Sequence, residues 1–254
     1  MSLDVVRAAA LALPHGFLGR QGGVSGGALS SLNMGLGAAD DLPNVAENRR
    51  RGVAAVAPGR QLVTVYQVHG AACATVAEPW SDADRPQADA LVTDRAGIVL
   101  GILTADCAPV LLADVDAGVI AAAHAGWRGA VAGVTDSTLV AMEALGAERK
   151  RIIAAIGPCI GRASYEVSEA FADAFAPEDE HFFSPGRAGH LHFDLPGYVA
   201  HRLAAAGVSQ VDVVGLDTLA LPDRFFSYRR ATLTRDSGYG RQISLIALPQ
   251  GRGR

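Results

Sequence analysis

Lysine is nearly missing from this 254-residue chain: Lys150, inside Glu148-Arg149-Lys150-Arg151, is the one example. Chemistry through a lysine Schiff base therefore has almost nothing to draw on. Cysteine is scarce as well. Cys73, Cys107 and Cys159 are odd in number and show no C-x-x-C spacing, which argues against a secreted disulfide framework and for a reducing, cytoplasmic compartment. No uninterrupted apolar run comes near the roughly 20 residues of a membrane-spanning helix. The short run Ala8 to Leu13 follows Asp4 and Arg7 without the positive start of a signal peptide, so it is expected as a buried edge of the domain. A positive excess is absent too: 22 Lys and Arg stand against 26 Asp and Glu, a net charge of −4. No global field draws such a chain to nucleic acid or to an anionic membrane, and any anion it binds must be held locally. Nothing in the sequence indicates a protein partner.

What is present is an apolar chain, 50% hydrophobic and 19% charged, able to bury a large core. Neither an internal repeat nor a Pro/Ser-rich linker divides it, so residues 1–254 are expected to form one domain. Short apolar runs rich in β-branched residues predict strands at 91–93, 98–104, 110–113 and 119–123, with more at 152–156, 211–214 and 243–247. Helical periodicity covers 135–145 and stops at Gly146, a suitable C-terminal cap. Further helices are expected near 168–175 and 196–206. Because consecutive strands lack intervening helices, the pattern predicts an α+β domain with mixed sheets, where a doubly wound fold would alternate strand and helix.

Polar reactive groups stand where three apolar runs end: Gln67-Val68-His69-Gly70, Thr104-Ala105-Asp106-Cys107 and His124-Ala125-Gly126-Trp127-Arg128-Gly129. Two imidazoles and a thiolate suit a catalytic zinc, which takes three protein ligands and leaves a fourth position open. The same residues also fit a thiol hydrolase, with Cys107 as nucleophile, His124 as base and Asp106 or His69 orienting the imidazole. Taken singly, His124 is equally a core histidine, and Cys73, Cys107 and Cys159 small buried hydrophobes.

Phe225-Phe226-Ser227-Tyr228-Arg229-Arg230 combines aromatics and guanidinium groups, enough to stack a base and clamp an anion. By pattern alone the favoured reading is an edge strand with a solvated arginine pair. The glycine-rich Arg20-Gln21-Gly22-Gly23-Val24-Ser25-Gly26-Gly27 offers backbone N–H groups to a phosphate but lacks the ending of a P-loop. His190-Leu191-His192 is one H-x-H unit, too little for a trinuclear copper centre in a chain with seven histidines, and is expected in a polar hairpin.

In this order, and together with Ser31-Leu32-Asn33, Asn48-Arg49, Asp89-Ala90-Leu91-Val92-Thr93, Gly157-Pro158 and Tyr165-Glu166-Val167, these motifs resemble the laccase-domain family. That family is also called the multicopper polyphenol oxidoreductase family and was later assigned as purine nucleoside phosphorylases. The resemblance implies a four-layer α/β/β/α sandwich and zinc held by His69, Cys107 and His124. It implies phosphorolysis of adenosine, inosine, guanosine or methylthioadenosine, and deamination of adenosine. For deamination, water activated at the metal would attack C6 while Asp106 or a nearby carboxylate shuttles protons. Arg229, Arg230 or Arg20, with Tyr228 and Asn33, would hold nucleoside and phosphate. Copper-dependent phenol oxidation, editing of peptidoglycan precursors and non-catalytic metal binding remain the alternatives. One departure is Asp217-Thr218, where the family pattern puts a cysteine before the threonine.

Overall fold

The structure, a computed structural model, describes residues 3–249. In chain order, β1 (Val5–Val6) and β2 (His15–Leu18) precede helix α1 (Leu42–Val56). Then come β3 (Gln61–Val63), β4 (Cys73–Thr75), β5 (Ala90–Thr93), β6 (Ile98–Thr104), β7 (Ala108–Asp114) and β8 (Val119–Ala125). Helices α2 (Trp127–Val131) and α3 (Val134–Ala144) lead to β9 (Ile153–Ile156), β10 (Glu166–Ser168), β11 (Phe183–Pro185) and β12 (His190–Phe193). Helix α4 (Leu195–Ala205), β13 (Gln210–Val213), α5 (Tyr228–Thr234) and β14 (Gln242–Ala247) complete the set.

Two large sheets form, one ordered β1-β2-β14-β6-β3 and the other β13-β9-β7-β8-β5-β4. Both are mixed: β3 with β6, β4 with β5 and β9 with β13 pair in parallel, whereas β7, β8 and their other neighbours are antiparallel. Side-chain alternation assigns the layers, because successive residues of a strand face opposite sides. In β8, Ile120 and Ala122 join Leu91, Leu111, Leu100, Ile102 and Ile246 between the two sheets. Val119, Ala121, Ala123 and Ala125 point instead toward Leu139 and Met142 of α3 and Val199 and Leu203 of α4. On the far side of the first sheet, Val99, Leu103, Ile243 and Leu245 pack with Val56 of α1. The expected four-layer α/β/β/α sandwich is the result. Truncating Ile102 or Leu111, both shut off from solvent, would cost about 2–5 kcal/mol.

Two local expectations are corrected, and one helix was not foreseen. Residues 168–175 form the end of β10 and a 3-10 helix, Glu169–Ala174, because Phe171 and Phe175 are drawn into a cluster with Trp127, Phe183 and Phe193. Residues 225–230 are no edge strand: Phe225 and Phe226 are buried, and Ser227 caps α5 by accepting from the Arg230 amide at 3.1 Å. Helix α1 gave no apolar signal since its buried face, Val45, Asn48, Arg49, Gly52 and Val56, includes two polar residues. The run 8–13 is the buried edge expected, with Ala8, Leu11 and Leu13 closed off, and His190-Leu191-His192 lies in a β11–β12 hairpin, also as expected.

Candidate metal centre

Strand register builds the site. Ala90 pairs with Ala123, and Ala108 with Ala125, so Asp89, at the start of β5, meets His124, and Cys107, just before β7, meets Gly126. His124 continues the inward series of Ile120 and Ala122 to the end of β8. His69 arrives from the loop between β3 and β4. Its Nδ1 or Nε2, the Cys107 Sγ and a His124 ring nitrogen all lie within 4.8 Å of one another. The two imidazole rings meet edge to face, with centroids 4.8 Å apart. His69 is exposed, Cys107 half-buried and His124 buried, so the cluster opens to solvent on the His69 side.

Asp89, which the sequence reading quoted only as part of a motif, holds the cluster together. Its carboxylate accepts from His124 Nδ1 at 2.8 Å and from the amides of Val68, His69 and Gly70 at 3.2, 3.0 and 2.6 Å. One fully buried acid thus fixes the tautomer of His124, leaving Nε2 for the site, and shapes the loop that carries His69. Burial works against its charge, but the bonds from His124 and the Gly70 amide outweigh that and keep the carboxyl below its ordinary range.

Backbone strain concentrates at the same place. Among the described residues, His69 (φ 60°), Asp106 (φ 84°) and Arg235 are the non-glycine positions in left-handed backbone; the first belongs to the cluster and the second directly precedes Cys107, a pattern found at functional sites. Gly126 is required by contact: a Cβ there would lie 2.9 Å from Cys107 Sγ and 3.2 Å from a carbon of the His69 ring.

The electrostatics oppose simple burial. Burial alone would raise the Cys107 thiol, yet the charge and hydrogen bonds of His124, with a bond from His69, pull it down to about 6. Burial would lower His124, yet the Cys107 charge and the Asp89 bond push it up to about 9. Cys73 goes the other way, to about 12, and Cys159 is raised too, both through burial. Of the three cysteines, Cys107 alone is poised as a thiolate.

These residues fit a metal. Tetrahedral zinc with sulfur at about 2.3 Å and nitrogen at about 2.0–2.1 Å needs ligand atoms about 3.3–3.7 Å apart, within roughly an ångström of the arrangement present. The His124–Asp89 bond is the outer-sphere contact that metal-bound histidines make. Among the described residues no other group of three His, Cys, Asp or Glu side chains converges in this way. His190 instead bonds Arg187 and the Ala188 carbonyl.

The remaining expected residues fall into two sets. Asp106 is buried and already accepts from Thr218 Oγ1 at 2.7 Å, Ser227 Oγ at 2.9 Å and the Arg229 amide at 2.6 Å. It staples the Cys107 turn to α5, and burial raises its pKa. The guanidinium groups of Arg20 and Arg230 are directed at backbone carbonyls, Ser30 and Pro222 for the first, Thr218, Leu219 and Phe225 for the second. Asn33 is buried and serves Asp40, Gly35 and the Arg241 amide. In the glycine-rich loop the amides of Gly23, Val24 and Ser25 are already bonded to Ser31 and Asn48.

Arg229 differs. It gives Nη1 to the Glu166 carbonyl at 2.6 Å and lies 5.3 Å over the Tyr165 ring, leaving Nε and Nη2 without an acceptor among the described residues. Tyr228, over half exposed, stacks edge to face with Tyr239. The Tyr165 phenol is raised by burial and then by the Cys107 charge, with Arg229 and Arg128 opposing. Arg128 is exposed and rests on Trp127. Asp89 and Tyr165 are the contributors missed in the sequence, since neither lies near the ligands in chain order.

Comparison with known proteins agrees in length and shape. Residues 14–249 match the family model described as multi-copper polyphenol oxidoreductase laccase. A Deinococcus radiodurans protein named purine nucleoside phosphorylase is 41% identical over 255 residues, 99% of this chain and 95% of its own. A Streptomyces griseus protein of that name is 42% identical over 88% of this chain and 92% of its own. A Neisseria meningitidis crystal structure superposes with a TM-score of 0.86 at 33% identity, covering 98% of this chain and 100% of its own. YlmD from Geobacillus stearothermophilus does so with 0.82 at 32%, covering 93% and 92%.

Proposed function

This chain belongs to the multi-copper polyphenol oxidoreductase laccase family, and from that membership we propose that it is a zinc-dependent purine nucleoside phosphorylase that also deaminates adenosine. The relatives named for phosphorolysis align over nearly the whole chain. The observation that carries the site assignment is the Asp89 carboxylate, which locks His124 and the His69 loop beside Cys107. His69, Cys107 and His124 would hold the ion, and a divalent metal there supplies Lewis-acid polarisation of a bound oxygen.

The chain's own residues do the rest. Phosphorolysis joins a phosphate oxygen to C1′ of the ribose and breaks the C1′–N9 bond, the electron pair leaving on a purine that takes up a proton. Arg229, with two guanidinium nitrogens unclaimed, binds the phosphate as a bidentate donor. Tyr165 and Trp127 give the nucleoside aromatic surface. Asp106 positions Cys107 and Arg229 together through its bonds to α5. Adenosine deamination adds water at C6 and releases ammonia in the same cleft.

A copper phenol oxidase is the second reading, favoured by the nitrogen and sulfur donors, which copper also accepts. Chromatographic product analysis with adenosine and inosine, with and without phosphate, separates the two. Phosphate-dependent release of hypoxanthine from inosine, and phosphate-independent conversion of adenosine to inosine, are expected. Phenol oxidation with stoichiometric copper and no nucleoside turnover would overturn the proposal.

A further inference from the structure

The chain between β3 and β4 carries His69 from the first sheet to the second and is gripped at successive points on the way. β3 pairs in parallel with β6 as far as Val63 and Leu100 and stops there. At Tyr66 the backbone has crossed to the stretch before β5, donating to the Pro86 carbonyl at 2.9 Å and accepting from the Ala88 amide at 3.2 Å. The next side chain reaches back. Gln67 Nε2 donates to the Leu103 carbonyl at 2.7 Å, and Gln67 Oε1 accepts from the Leu103 amide at 2.9 Å. The amides of Val68, His69 and Gly70 then meet Asp89.

One carboxamide thus fills the ladder position that β3 vacates, since it gives Leu103 the donor and the acceptor that a neighbouring strand would give. The place of this bond in the chain matters more than its strength. Gln67 stands two residues before His69, and Leu103 four residues before Cys107. Asp89 ties the His69 loop to His124; Gln67 ties it to the strand that runs into Cys107. Without the carboxamide the loop is held from the side of the second sheet, and His69, exposed and in left-handed backbone, loses its fixed distance to the Cys107 sulfur.

We propose that Gln67 is a positioning residue of the metal centre, which sets the separation of His69 and Cys107 by clamping their two segments together at Leu103. The proposal rests on the reading of His69, Cys107 and His124 as metal ligands. Groups that hold a ligand in place from behind typically change metal affinity about 10- to 100-fold when lost, because a tetrahedral ion accepts a narrow range of ligand separations.

The test is zinc affinity, read by competition with a chelator, together with the visible spectrum of the full chain loaded with cobalt(II). Gln67→Met keeps the length of the side chain and removes both bonds; Gln67→Glu keeps the bond from the Leu103 amide and sets a carboxylate against the Leu103 carbonyl. In both, zinc affinity should fall at least about tenfold, and the cobalt spectrum should move toward that of His69→Ala. Asn48→Ala, which weakens the fold away from the cluster, should leave affinity and spectrum at parental values. Parental affinity in Gln67→Met would overturn the proposal, and so would weaker binding with an unmoved spectrum, the mark of a general loss of stability. A parent chain that takes up no zinc would overturn the metal-centre reading itself, and this proposal with it.

Discussion

The N-terminal segment around Ser25, Asn33 and Asn48 and the cluster around His69, Cys107 and His124 are both dense in polar family motifs, yet their hydrogen-bonding capacity goes to opposite ends. Asn48 accepts from Val24 and donates to Ser25 and to the Asn33 carbonyl; Asn33 and Asp40 close the same network. The side chains of Ser25, Asn33, Asp40 and Asn48 thus find their partners within the chain. At the cluster, Asp89 satisfies one side of His124 and leaves the facing nitrogen to the Cys107 thiol, beside the exposed His69. A motif therefore marks scaffold when its donors and acceptors are internally matched, and a site when they converge beside an exposed group.

The largest effect that would break this comparison is at Cys107. Cys107→Ala should lower kcat/KM for inosine by about a thousandfold or more, several kcal/mol of transition-state stabilisation, while far-UV circular dichroism is unchanged. Asp89→Asn comes next. An amide cannot accept at both positions from three backbone N–H groups and the imidazole, so metal affinity or activity should fall about 10- to 100-fold, read by competition with a chelator. Asn48→Ala should behave inversely: about 2–3 kcal/mol of stability lost in denaturant titration through orphaned buried groups, with kcat of the folded protein within about twofold. A smaller contrast separates two arginines. Arg229→Ala should raise the KM for phosphate about tenfold, whereas Arg20→Ala should leave it unchanged, since Arg20 serves backbone carbonyls.

The pH dependence is the smallest effect and sharpens the same point. In metal-free protein the thiol of Cys107 falls from its ordinary 9.0 to about 6, which stabilises the fold increasingly as pH rises between those values. His124 rises from 6.5 to about 9, a contribution full below 6.5 and lost by 9. Between about 6.5 and 9 the two slopes cancel, so stability stays flat while alkylation of Cys107 by iodoacetamide is already near its plateau; Cys73 should not react below pH 9.

Much of this was legible in the chain. The core strands announced themselves by unbroken apolar runs, because β5 to β8 are covered on both faces, and the three metal-ligand candidates stood at the ends of such runs. Asp89 was not legible as an organiser, since its bond to His124 crosses 35 residues and depends on the β5–β8 register. Helix α1 was hidden because Asn48 and Arg49 occupy its inward face, and α5 because two buried phenylalanines before Ser227 mimic a strand. The arginine cluster looked uniform in sequence. Only the bonds to carbonyls separate Arg20 and Arg230 from Arg229.

The central claim is that the converging donors of His69, Cys107 and His124 form a zinc site, and elemental analysis of the protein purified without added metal tests it most directly. The account predicts about one equivalent of zinc per chain in the parent protein and none in Cys107→Ala, with unchanged circular dichroism. Full zinc in that variant, or copper in place of zinc in the parent, would contradict it.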